Sequence, residues 1–119
     1  MKNLKELDQY RIDAFGNGDL GDEYNGAFKI KIKGEQYFVI ASNGMGWEHV
    51  SISHTDKHKI ASWKTMCILK DMFFEPEEVV MQLHPKKSEY INNVHNCLHL
   101  WKPMNVDIPT PPSILVGVK

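Results

Sequence analysis

AFKIKIKGEQYFVIASNGMGWEHVSIS, residues 27–53, is the stretch on which the fold turns. Phe28, Ile30 and Ile32 alternate with Lys29, Lys31 and Lys33, and a period of two is the pattern of a strand that buries one face. Gly34-Glu35 supplies a tight turn into a second strand over 36–42, so the segment predicts a hairpin. Asn43-Gly44-Met45-Gly46 is a second glycine turn, and 47–53 reads as a third strand with Val50 and Ile52 on one face. The expectation is a three-stranded antiparallel meander.

Beyond a polar loop, Ser62 can cap a helix over 63 to about 74, because its hydroxyl can accept an otherwise unmatched amide of the first turn. Lys64 and Asp71 share an exposed stripe, while Trp63, Met66, Cys67, Ile68, Leu69, Met72, Phe73 and Phe74 are apolar or nearly so. Such a helix is expected to be covered on more than one side. Pro76 ends it, and 79–84 and 97–101 look like two further strands joined by a loop over 85–96. The predicted architecture is therefore α+β, with an antiparallel sheet of about five strands.

On the N-terminal side, GNGDLGDEYNG over 16–26 reads as a turn-rich surface loop. Leu4, Leu7 and Ile12 before it suit a short helix or a packed extended arm. The segment after Pro103 holds four of the six prolines and ends in Ile114-Leu115-Val116, which predicts an extended tail. One domain over 1–119 is expected, with an arm and loop at 1–26, a core at 27–102 and the tail at 103–119.

A hydrophobic fraction of 42% and a charged fraction of 24% are those of an ordinary folded chain. The formal net charge is −1 and the fourteen Lys and Arg are dispersed, which argues against a general nucleic-acid binder. Cys67 and Cys97 each sit in an apolar run and predict buried reduced thiols. The opening MKNLKELDQY lacks the apolar core of a signal peptide, and no run of about 18 apolar residues follows. A cytoplasmic protein with no membrane partner is the expectation.

Strand alternation indicates where chemistry could reside. If Val50, Ile52, Val79, Met81, Leu83, Leu98 and Leu100 point at the helix, the opposite face carries Trp47, His49, Ser51, Ser53, Gln82, His84, His99 and Trp101. Indole and imidazole rings offer stacking surfaces, and hydroxyls, an amide and ring nitrogens offer hydrogen bonds. That inventory suits a planar, anionic, nucleotide-like ligand. Lys86 and Ser88, in HPKKSEY at 84–90, could hold its phosphate. The competing expectation is a half-wet sheet face whose aromatics pack on the arm or tail.

Enzymatic readings have less support. His95 and His99 are four apart, as are His54 and His58, but four-residue spacing gathers side chains only on a helix, and HExxH is absent. His49-Val50-Ser51 supplies one half of a two-histidine phosphoesterase motif, and His99-Leu100-Trp101 lacks the second hydroxyl. No GxSxG elbow, phosphate-binding loop or dinucleotide glycine fingerprint occurs. No catalytic residue, metal or cofactor is assigned, and a histidine-dependent metal hydrolase or phosphoesterase is a lesser alternative.

WEHVS at 47–51, WKTMCILKDMFF at 63–74, VMQLHPKKSEYIN at 80–92, CLHLW at 97–101 and PPSILVG at 111–117 together resemble a family of small proteins of unassigned activity encoded by tailed phages and prophages. The resemblance implies a viral accessory protein in a bacterial cytoplasm, acting against host defence. It could sequester a nucleotide signal on the face described above, or it could block a host defence nuclease or effector through the helix face or tail. An apolar helix and tail that exceed one small core also predict a homo-oligomer.

Overall fold

The computed structural model describes residues 2–13, 24–44, 46–56, 58–83 and 97–104. Its elements are a 3-10 helix (Leu4–Tyr10) followed by β1 (Arg11–Asp13), β2 (Gly26–Ile32), β3 (Glu35–Gly44), β4 (Trp47–His54), α1 (Trp63–Phe73), β5 (Met81–Leu83) and β6 (Leu98–Pro103). The strands form one sheet in the order β1-β2-β3-β4-β6-β5, with every neighbouring pair antiparallel. The architecture is α+β, and the meander predicted from 27–53 is its centre. The sixth strand is β1, which turns the expected arm into a sheet edge.

The hairpin turn lies one residue earlier than predicted, on Lys33 and Gly34, which have φ of 52° and 83°. Two successive positive φ values are what a two-residue hairpin turn of right-handed strands requires. In the N-terminal helix, Leu4 and Leu7 are both buried, since residues three apart eclipse in 3-10 geometry. The Lys2 amide donates to the Phe73 carbonyl at 2.8 Å, tying this segment to the end of α1.

Ser62 caps α1 as predicted, its hydroxyl accepting from the Thr65 amide at 3.1 Å. The helix buries Thr65, Met66, Leu69 and Phe73 and exposes Trp63, Lys64 and Asp71. Cys67, Ile68 and Met72 are half-buried, and Trp63 is 38% exposed. Met66, Leu69 and Phe73 join Phe28, Val39, Val50, Ile52, Leu98 and Leu100 in one core against a single face of the sheet. Phe28 and Phe73 meet edge to face at 5.4 Å.

The structure corrects the orientation of β5. Met81 pairs with Trp101, Gln82 with Leu100 and Leu83 with His99, so Gln82 points to the helix side while Met81 and Leu83 join the imidazole face. Val79, expected in the core, is 83% exposed. Of the strand expected over 79–84, the described part is Met81–Leu83; a slip of one residue exchanges the faces, and a three-residue edge strand has little to prevent it. Leu83 still finds cover beside His99, and the Gln82 Oε1 is buried with no hydrogen-bond partner among the described residues.

Candidate functional site

The sheet face turned away from α1 is built in rows of cross-strand neighbours. Ser42 stands opposite His49, which stands opposite Trp101; Ile40 opposite Ser51, which stands opposite His99; and Gly44 opposite Trp47. Antiparallel pairing thus delivers five of the proposed contact residues, Trp47, His49, Ser51, His99 and Trp101, to neighbouring positions. Gln82 is removed from that set by the orientation of β5. His84, Lys86 and Ser88 lie outside the described residues, as do His95, the loop over 85–96 and nearly all of the Pro-rich tail.

The rings are close to parallel. His49 stacks on Trp101 with centroids 3.8 Å apart at 22°, and the His49 and His99 planes differ by 13°. His49 Nε2 and His99 Nδ1 are 2.9 Å apart, within hydrogen-bonding distance. Trp47 meets Trp101 edge-on at 6.0 Å. Burial, reinforced by the neighbouring His99, pushes His49 down to about 4, so it is neutral near pH 7. It can therefore offer a ring face and a neutral hydrogen bond, but no charge. Ser42, Asn43, Gly44, Trp47, His49 and Trp101 line an open cavity of about 220 Å³ beside this stack.

The alternation of β2 and β3 extends the same face in a direction the proposed contact set leaves out. Lys29 pairs with Phe38, Phe38 with Ser53, and Lys31 with Gln36. The Ser53 side chain hydrogen-bonds the Cys97 thiol, whose burial nevertheless pushes its pKa up. Cys67 and Cys97 are free and half-buried.

A second concavity, of about 480 Å³, lies on the helix side, lined by Glu35, Tyr37, His54, His58, Lys59 and neighbours. The Asp56 amide donates to His54 Nδ1 at 2.8 Å, so the proton of the neutral ring is on Nε2, which donates to Glu35 Oε2 at 2.8 Å. Lys59 Nζ reaches Glu35 Oε1 at 3.3 Å. The Glu35 carboxyl is held below its usual range by the His54 hydrogen bond and then by Lys59. With both ring nitrogens engaged, His54 has no lone pair to act as a base. Among the described residues, no three His, Cys, Asp or Glu side chains are grouped to hold a metal ion.

A helix packed on one face of an antiparallel sheet, with rings and hydroxyls displayed on the other, defines an α+β protein with a sheet-borne candidate binding face. Residues 39–105 match the family model described as "Domain of unknown function (DUF7694)", and the chain belongs to that family. The match takes in Trp47, His49, Ser51, His99 and Trp101. No curated protein and no solved structure matches the chain. No helix among the described residues is long and apolar enough to cross a membrane.

Proposed function

We propose that this protein is a phage-encoded accessory factor of the bacterial cytoplasm. It binds and sequesters a small, planar, anionic, nucleotide-like ligand, and it does so without chemistry. The observation that carries the reading is the His49–Trp101 stack at 3.8 Å and 22°, bordering an open cavity. A base can stack on such rings whatever its identity. Ser51 and the two imidazoles supply hydrogen bonds for ribose or phosphate oxygens. A neutral His49 bonded to His99 is suited to holding a ligand.

The test is titration calorimetry of the full chain with a panel of cyclic nucleotides and ADP-ribose derivatives. At least one is expected to bind, and Trp101→Ala should weaken it by about 5-fold to 150-fold, the equivalent of losing one stacked base. The ring is half-buried, so urea titration of the variant separates lost binding from lost fold. Failure of every panel member to bind the parent protein overturns the proposal.

A further inference from the structure

The face that carries the His49–Trp101 stack does not end at β4. On the next strand, β3, Phe38 is 38% exposed, and Ile40 beside it is 43% exposed. Lys29 Nζ stands 5.7 Å from the centre of the Phe38 ring, and Lys31 is exposed one row further on. Hydroxyls lie between the two aromatic centres, because Ser53 neighbours Phe38 and Ser51 neighbours His99.

Charge is partitioned between the faces. Glu35 and Glu48 alternate onto the helix side, where they pair with Lys59 and Lys102. On the opposite side of β2, β3, β4 and β6 the charged residues are Lys29 and Lys31, and at the sheet edge Asp13 of β1 pairs with Ala27 of the same face. A net charge of −1 therefore conceals a stretch of face, over β2, β3, β4 and β6, whose described charged residues are both cations. From the strand spacing and rise, Phe38 and Trp101 are roughly 16 Å apart along a diagonal of the sheet. One nucleotide cannot engage both.

We propose that this face binds single-stranded nucleic acid across β6, β4, β3 and β2. Bases stack on the His49–Trp101 rings and on Phe38, Lys29 and Lys31 receive backbone phosphates, and Ser51 and Ser53 bond the backbone between them. The inference rests on the ligand-binding reading above and names the ligand as a strand of several nucleotides. On this face Phe38 is exposed and His49, His99 and Trp101 are half-buried; aromatic rings interleaved with cations and hydroxyls on an open sheet are the means by which sheet proteins hold unpaired bases, whose ring faces are available only when the strand is single.

Fluorescence anisotropy on the full chain tests it, with labelled oligothymidylate and oligouridylate of three, six and nine residues, a duplex control and the corresponding mononucleotides. The expected result is affinity that rises with length up to about six residues, on DNA or RNA according to which sugar the face accepts, with the duplex far weaker. Log affinity should fall with log salt at a slope near −1.4 for two phosphate contacts. Replacing Lys29 and Lys31 together by Ala should flatten that slope, and Phe38→Ala should shrink the ratio of hexamer to mononucleotide affinity by about 5-fold or more. Mononucleotide binding with no gain from length overturns the extension and leaves the smaller site standing. An absence of binding by any of these probes overturns the strand proposal and leaves the smaller site to the cyclic-nucleotide and ADP-ribose panel, and duplex bound as tightly as single strand removes the stacking argument.

Discussion

Gly34 sits at φ 83° next to Lys33 at 52°, and the space a side chain would enter is open, with nothing within 4 Å of where a methyl group would stand. Replacing it with alanine therefore meets no steric obstacle, and the cost is entirely that of a left-handed backbone carrying a Cβ. Gly34→Ala is expected to destabilise by about 1–2 kcal/mol, measured as a lowered urea midpoint with an unchanged slope. A neutral result would mean that the turn relaxes to another geometry. Gln82 gives the complementary lesson. The alternation of Val79, Met81 and Leu83 placed it among ligand contacts, yet its Oε1 is buried on the core side, because backbone pairing and not side-chain character decides which way a residue of a short strand points.

Among the elements, α1 depends most visibly on a single side chain. The Ser62 hydroxyl accepts from the Thr65 amide at 3.1 Å and lies 3.1 Å from the Thr65 hydroxyl. Ser62→Ala should cost about 1 kcal/mol, read by thermal unfolding, and Ser62→Asp should retain most of the stability because a carboxylate serves the same amide. Equal stability of wild type and the alanine variant would show that the cap is replaced by water. The helix, its cap and the meander were legible because each is written in local chemistry: a hydroxyl before an apolar run, and period-two alternation between glycine turns. The edge elements were not. β1 is three residues long with a shifted register against β2, and β5 takes its orientation from β6, which is a non-local constraint. The candidate face was legible in part for the same reason. Trp47, His49, Ser51, His99 and Trp101 follow from two well-patterned strands, whereas their continuity with Phe38 and Lys29 requires the register of the whole sheet.

For the molecule as a whole, one sheet separates a helix-packed core from a face that is polar, aromatic and open at Phe38 and Ile40. Trp63, 38% exposed on α1, and this open face are described surfaces on which the expected homo-oligomer would draw. The same face also sets a pH dependence. In the folded chain His49, packed against Trp101 and hydrogen-bonded to His99, takes a proton only near pH 4, against 6.5 for an ordinary histidine. Between those values the unfolded chain holds more protons than the folded one, so stability falls as pH falls from about 6.5 and levels off below about 4. That interval corresponds to roughly 3 kcal/mol at most for a half-buried group. Glu35 and Asp56, both held below their usual carboxylate values, lose their contributions in the same direction but at lower pH. Urea titrations between pH 7 and 5 therefore stay above the range of these two carboxylates. The wild-type midpoint is expected to drop steadily over that range, and His49→Phe, which keeps a stacking ring and removes the titrating group, should flatten the slope. A wild-type stability that is constant from pH 7 to 5 would show that His49 accepts a proton in the folded state, and a neutral His49 would then have to be abandoned as a description of the face.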